Sequence, residues 1–405
     1  MEDETVPGQE LARRLLEWFA AHRRPLPWRV HRDPYRVWVS EVMLQQTRAE
    51  TVSRRFVQFL EMFPTVQSLA AADEAQVLKA WEGLGYYSRA RHLHAAAREI
   101  VTRYGGRFPD NPDELAQLPG IGRYTAAAVA SIAFNRPCPA VDGNVARVMA
   151  RLLAISGDVT EPAVRRRIER HVEAMIPPGK AGLFTEALME LGALVCTPRN
   201  PGCSRCPWQA DCEAFRRGQA AQLPNRPARP RPRPVCGAVA VVCRGESVLV
   251  ARRPQRGLLG GLWEFPWTET APEEDGGRAL VQHLRDRFGV EVREGRLMMT
   301  LSHTFTHLKW HLRVYEYDWF AGGEASEKVE GGTEAVWAAP RDLAALAFGR
   351  AHRRIASAWL KRTASGLPAD VQDEAPEGTR GRPGDWPPKG GGGAGRPPFR
   401  QDVLS

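Results

Sequence analysis

Between residues 223 and 234 the chain reads LPNRPARPRPRP. No helix can run through it, because each proline lacks a backbone donor and fixes φ at about −65°. The alternation of proline with arginine predicts an extended basic linker. What lies on either side must fold separately, and the two sides have different apolar periods. Residues 10–222 repeat apolar side chains at helical spacing, as in Val145, Val148, Met149, Leu152 and Leu153, which predicts an all-α domain. Residues 235–360 carry short β-branched runs, CGAVAVVCRGESVLVARR and WHLRVYEYDWF, around one helical stretch, RALVQHLRDRFG, and predict an α+β domain. From 361 to 405 glycine, proline and arginine dominate, which predicts a disordered tail.

Charge narrows the class of partner. A formal net charge of +9, mostly from arginine, favours polyanions, nucleic acid first. No apolar run approaches the roughly 18 residues of a membrane span, and the opening MEDETVPGQE is acidic with no apolar segment after it. The expectation is an intracellular, cytoplasmic protein with no membrane partner. Seven cysteines without a secretory start argue against a disulfide framework.

Four of those cysteines, Cys196, Cys203, Cys206 and Cys212, fall in CTPRNPGCSRCPWQADC with spacing C-x6-C-x2-C-x5-C. Thiolates this close in a proline-interrupted loop can surround one soft metal centre. Structural zinc sites usually pair two C-x2-C knuckles, and this run has one; spacing alone leaves zinc and a [4Fe-4S] cluster both open. Arg199 and Arg205 project from the same loop, and one or both are expected to meet phosphates. Cys138, Cys236 and Cys243 are expected to be small buried hydrophobes.

Asn111, Pro112 and Glu114 read as N-cap, first helical residue and capping box of a short helix that ends at Leu118-Pro119. In LPGIGRYTA, Gly120 and Gly122 permit a tight turn whose backbone N–H groups open the next helix, a geometry that binds phosphate without side-chain charge. About twenty residues later comes VDGNVAR. These two stretches and the four cysteines together resemble the helix-hairpin-helix DNA glycosylase superfamily, in the order and spacing of its iron-sulfur branch. The resemblance implies a hairpin that grips the DNA backbone, a catalytic aspartate at Asp142 that also sits as an N-cap, and a [4Fe-4S] cluster on the four cysteines. Members of the endonuclease III type carry a lysine at the position of Tyr124 and form a Schiff base with the sugar. The tyrosine here resembles the monofunctional adenine DNA glycosylases.

LPWRVHRDPYRVWVSEVMLQQTRAE, residues 26–50, resembles the same family. Its centre is Glu41, expected in the first turn of a helix among Trp38, Val39, Val42 and Met43. In an apolar pocket its pKa would rise, so that it could keep a proton for ring nitrogen N7 of adenine. The resemblance gives Asp142 the opposite task, stabilising an oxocarbenium-like sugar while ionised, with Tyr124 and Asn144 beside it. A stacked base must first be flipped out. By resemblance, Tyr86 in GLGYYSRAR is the wedge beside the opposing base and Gln46 a second intercalating residue, while Trp28, Arg29 and Glu186 resemble residues of the adenine pocket.

GLLGGLWEFPW, residues 257–267, resembles the stretch before a Nudix helix, yet the metal-binding pattern R-E-x-x-E-E-x-G is broken. Counting back from Gly289, Gln282 stands for the arginine, His283 for the glutamate, and Asp286 and Arg287 for the glutamate pair. A Nudix-like fold without its chemistry suits the recognition domain of an adenine glycosylase. HTFTHLKWHL resembles that family's Phe-Ser-His motif for 8-oxoguanine, with Phe305 and His307 in place and Thr306 where serine is usual. The expected architecture is thus an all-α helix-hairpin-helix glycosylase domain with a [4Fe-4S] loop, followed by an α+β Nudix-like domain. Its expected function is removal of adenine opposite 8-oxoguanine or guanine in double-stranded DNA, by a monomer. The rivals are a bifunctional endonuclease III-type pyrimidine glycosylase/lyase, a non-catalytic iron-sulfur DNA-binding protein and a nucleotide-diphosphate hydrolase.

Overall fold

The structure is a computed structural model and describes residues 8–225, 231–323, 328–329 and 333–365. It divides into two compact units, one of residues 1–80 and 88–228 and one of residues 81–87 and 229–405. The residues expected to form a disordered tail lie outside the described part from 366 onward. Residues 361–365 continue a helix.

The first unit is helical: α1 Gly8–His22, α2 Pro34–Leu44, α3 Ala49–Met62, α4 Val66–Ala71, α5 Glu74–Ala80, α6 Ser88–Tyr104, α7 Pro112–Leu115, α8 Arg123–Phe134, α9 Gly143–Leu152, α10 Pro162–Met175, α11 Ala181–Leu194 and α12 Glu213–Arg216. The stripe read at helical spacing on α9 is its core face. Val145, Val148, Met149 and Leu152 are buried against Leu15 and Phe19 of α1, Ile168 of α10, and Phe184, Leu188 and Leu191 of α11. Gly192 lets α11 approach the first turn of α9, since a Cβ there would lie 2.7 Å from Asn144 Cβ. The capping box expected on α7 is half present. Asn111 accepts from Asp113 N at 2.8 Å, after which Pro112 opens the helix, but the reciprocal bond from Glu114 is not formed.

Among the described residues the second unit centres on a nine-stranded sheet: β1 Arg233–Arg244, β2 Ser247–Arg252, β3 Trp263–Glu264, β4 Trp267–Glu269, β5 Val290–Val292, β6 Arg296–Thr304, β7 Leu308–Gly322, β8 Lys328–Val329 and β9 Thr333–Ala338. β1 lies parallel to β7 and antiparallel to β2, with β6 antiparallel on β7. Strand alternation explains the continuous apolar run of β1. Val239 and Val241 join one core with Trp310, Leu312, Val314, Ile355 and Trp359, while Ala238, Ala240 and Val242 join another with Leu280 and Leu284. One helix, α13 Gly277–Phe288, was expected; α14 Pro340–Ala345 and α15 Arg350–Ser365 are additional. Arg233 and Pro234, expected in the linker, belong to β1. Among the described residues no helix is long and apolar enough to cross a membrane.

Candidate active site

α2 begins earlier than expected. Asp33 caps it, accepting from Arg36 N at 3.0 Å, and Pro34 is its first residue. Glu41 therefore sits in the third turn and not in the first, out of reach of the favourable N-terminal dipole. The helix ends where the buried Arg89 of α6 donates to the carbonyls of Val42, Met43 and Gln45 at 2.8, 3.0 and 2.5 Å. Glu41 is 5% exposed, with Trp38, Val39, Val42 and Met43 all buried around it on the helix. Tyr124 of α8 donates its hydroxyl to Glu41 Oε2 at 2.7 Å. Burial lifts the carboxyl to a pKa of about 7; the Tyr124 bond and the Arg29 charge oppose this, and the charges of Asp142 and Glu186 add to it. Burial also holds the Tyr124 phenol well above its usual range, so the hydroxyl stays a donor.

Asp142 is the N-cap of α9, as expected. Oδ1 accepts from Asn144 N at 2.8 Å and Val145 N at 2.7 Å, and Oδ2 accepts from Asn144 Nδ2 at 3.1 Å. Burial raises its pKa; those three donors and the nearby Arg147 pull the other way. Tyr124, expected beside Asp142, feels the Asp142 charge and gives its hydrogen bond to Glu41. Behind Asn144 lies a feature that the sequence did not suggest. Arg147 Nη2 donates to Asn144 Oδ1 at 2.9 Å and to Gly192 O at 2.8 Å, while its Nε donates to Cys196 O at 2.8 Å. One guanidinium thus joins the partner of Asp142 to the start of the cysteine loop. The available signal was a pair of arginines, Arg147 and Arg151, four residues apart in the otherwise apolar stripe of α9.

Arg29 and Glu186 are brought together. Arg29 Nε lies 3.6 Å from Glu186 Oε1, and Arg32 Nη2 holds Glu186 Oε2 at 3.0 Å. Burial raises the Glu186 pKa against the pull of Arg32 and Arg29. Trp28 is buried, edge-on to Phe56. Glu190, also unforeseen, accepts from Arg24 and Arg29.

The hairpin turn precedes α8. Gly120 has φ +71° and a Cβ there would fall 2.4 Å from His92 Cβ, so both conformation and space demand glycine. Gly122 has φ −82° and open space around it, and as N-cap it has no side chain to satisfy the first N–H groups of α8. Among the described residues no side chain caps those donors, an arrangement suited to an external acceptor. Gln46 is exposed, with φ +59°, immediately beyond α2.

Cys196, Cys203, Cys206 and Cys212 line one cavity together with Arg151, Trp208 and Phe215. Among the described residues no three His, Cys, Asp or Glu side chains are gathered closely enough for a single metal ion. Four thiols around one cavity form a donor set for a soft metal centre. The buried Arg151 donates to Cys196 Sγ at 3.3 Å and to Thr197 O at 2.7 Å. Arg199 and Arg205 are exposed; of the other cysteines, Cys236 is buried and Cys138 and Cys243 half-buried.

In the second unit, residues 305–307 form the tip of the β6–β7 hairpin, closed by Phe305 N donating to Leu308 O at 2.7 Å. Phe305 packs edge-on against Trp310 and His303, whereas Thr306 and His307 are exposed. Tyr86, with φ +48°, is 44% exposed, and its hydroxyl lies 2.7 Å from Thr306 Oγ1. On α13, Gln282 Nε2 donates to Asp286 Oδ1 at 2.7 Å, and Asp286 is the one carboxylate left where a Nudix enzyme needs several for metal.

A helical hairpin, a buried and a half-buried carboxylate and an appended sheet domain are the features of a base-excision DNA repair glycosylase joined to a Nudix-like domain. Residues 39–174 match the family described as HhH-GPD superfamily base excision DNA repair protein, and residues 238–358 match the NUDIX domain family. The chain is 38% identical to the adenine DNA glycosylase of Mus musculus over 355 residues, 74% of this chain and 69% of that protein. With the Rattus norvegicus adenine DNA glycosylase it is 36% identical over 386 residues, 82% and 75% of the two chains. With that of Homo sapiens it is 37% identical over 357 residues, spanning 74% of this chain and 65% of the human one. The chain belongs to the adenine DNA glycosylase family.

Proposed function

We propose that this protein hydrolyses the N-glycosidic bond of adenine mispaired with 8-oxoguanine or guanine in duplex DNA, releasing the base and leaving the strand uncut. The observation that carries the reading is a buried Glu41 whose proton is retained up to about pH 7, close to a second carboxylate, Asp142, that is fixed by N–H donors. Glu41 gives its proton to N7 of the flipped adenine. The C1′–N9 bond breaks with its electron pair moving into the ring, and ionised Asp142 stabilises the cationic sugar. Water adds at C1′ and returns a proton to the Glu41 carboxylate. Position 124 offers no amine to capture the sugar, so no Schiff base forms there.

Glu186, with Arg29 beside it, faces the base. The N–H groups opening α8 beyond Gly120 and Gly122 take a backbone phosphate, and Gln46 and Tyr86 fill the space that the flipped nucleotide leaves. Phe305, Thr306 and His307 read the 8-oxoguanine on the other strand. Thr306 can still donate a hydrogen bond, with its rotamer restricted by the extra methyl. Cys196, Cys203, Cys206 and Cys212 would hold a [4Fe-4S] cluster, which when bound supplies the bonds that organise a loop poor in apolar side chains.

The test is single-turnover release of adenine from duplexes with A opposite 8-oxoguanine, G or C, for the wild type and Glu41→Gln. Release is expected from the first two, with the variant slower by about 10²–10⁴-fold. Absence of release by the wild type refutes the reading. Strand cleavage with a borohydride-trapped adduct refutes its monofunctional part.

A further inference from the structure

α11 carries two carboxylates four residues apart, Glu186 and Glu190, so both leave the same face of the helix. Glu186 has a place in the proposed adenine pocket, and Glu190 has none. Yet Glu190 is 1% exposed and heavily bonded. It accepts from Arg24 N at 2.9 Å, Arg24 Nε at 3.0 Å, Arg24 Nη2 at 2.7 Å, and Arg29 Nη1 and Nη2, each at 3.0 Å. Burial favours its protonation, but the bonds from Arg24 and Arg29 outweigh that and hold its pKa near about 2.

The two-point pair fixes the plane of the Arg29 guanidinium, which also lies over the Phe19 ring at 5.3 Å and donates Nη1 to Arg24 O at 3.2 Å. With both terminal nitrogens held, the Nε edge is the part directed toward Glu186. Arg32 grips Glu186 from the other oxygen. Glu186 is therefore set between two arginines whose orientation depends, on one side, on Glu190.

We propose that Glu190 is a positioning residue for base recognition: it clamps Arg29 so that Glu186 faces the bound base as a fixed hydrogen-bond acceptor, and it offsets the Arg29 charge that Glu41 feels. The proposal rests on the adenine-excising function above. Adenine presents its exocyclic amine to such an acceptor, and purine, which lacks the amine, has nothing to give it. The groups bearing on Glu41 are Arg29, Tyr124 of α8, Asp142 ahead of α9 and Glu186 of α11. α6 places Arg89 on the carbonyls that end α2. On α3, Glu50, Arg54 and Glu61 are exposed and Arg55 half-buried.

A purely structural ion pair would affect stability alone. The positioning role affects specificity and pH dependence as well. The experiment measures single-turnover release of adenine and of purine from otherwise identical duplexes opposite 8-oxoguanine, between pH 5 and pH 9, for the wild type, Glu190→Gln and Glu190→Asp, with thermal unfolding alongside. For Glu190→Gln the adenine-to-purine rate ratio is expected to fall by about tenfold or more. Its alkaline limb moves to lower pH by about half a unit or more, because an unbalanced Arg29 favours ionised Glu41. Should Glu190→Gln not fold, Glu190→Asp decides: it keeps the charge and shortens the reach, so its ratio falls while its limb stays in place. A folded variant with the wild-type ratio and limb, and only a lower unfolding temperature, overturns the proposal. A wild type that releases neither base sinks the function and the proposal with it, an outcome distinct from the previous one.

Discussion

A carboxyl group in the third turn of a helix, with apolar neighbours along that helix and one phenolic donor, has little to stabilise its charge. In the unfolded chain Glu41 loses its proton as pH rises past the ordinary 4.5; in the folded protein it holds on to about 7. Stability therefore falls between these values and levels off above them, a loss on the order of 3 kcal/mol. Glu41→Gln, which cannot ionise, is expected to be more stable than the wild type at pH 8 by that order and similar to it at pH 4.5. Urea unfolding at the two pH values checks this, and a variant that is weaker at pH 8 refutes it. Adenine release by the wild type is expected to decline above about pH 7 for the same reason. The Tyr124 hydroxyl favours the ionised form of Glu41, so Tyr124→Phe should move that decline to higher pH; a shift to lower pH would contradict the bond to Oε2. The burial of Glu41 was legible in its apolar flanks. Its place in the helix was misread because Asp33-Pro34, a cap followed by a first-turn proline, was not taken as the start of α2.

At the scale of elements, two glycines two residues apart have different reasons to be there. Gly120→Ala must hold a side chain at φ +71° against His92, a cost of about 1–3 kcal/mol. Gly122→Ala meets open space at φ −82° and is expected to unfold at nearly the wild-type midpoint. Its added methyl stands at the opening of α8, so it should weaken binding to a non-cleavable duplex; unchanged affinity would mean that no phosphate approaches there. The bridge from α9 to the cysteine loop makes a different prediction. Arg147→Gln leaves Gly192 O and Cys196 O without the guanidinium and frees Asn144, so stability in urea should drop by about 2–4 kcal/mol, with slower adenine release. Unchanged stability would sink the bridge. The turn, the cap at Asp142 and the cysteine spacing are local, and local patterns can be read from sequence. The pairing of Arg29 with Glu190 spans 161 residues and exists only once α11 packs beside the N-terminal segment. α15 was missed for another reason: RAHRRIASAWLKRTAS has its apolar residues separated by charge and runs into a Gly/Pro-rich tail, which blurs the period.

At the scale of the molecule, division of labour follows from what each unit can bury. The helical unit buries Glu41, and that burial is what lifts its carboxyl pKa to about 7. The sheet unit encloses apolar side chains on both faces and leaves its polar hairpin tip, Thr306 and His307, exposed. Residues 81–87 pack with this second unit: Glu82 pairs with Arg353, the Tyr87 hydroxyl donates to Phe348 O at 3.0 Å, and Tyr86 reaches Thr306. The proposed wedge and the proposed reader of the opposing base are thus joined by one hydrogen bond between two exposed side chains. If that bond orients both on the lesion, Tyr86→Phe and Thr306→Ala should each reduce the preference for adenine opposite 8-oxoguanine over adenine opposite guanine. Their effects should not add. A double-mutant cycle on the ratio of the two single-turnover rates is expected to give a coupling of about 0.5–1.5 kcal/mol. A coupling near zero, with both single variants impaired, would mean that each side chain meets the DNA independently and that the bond between them plays no part in discrimination.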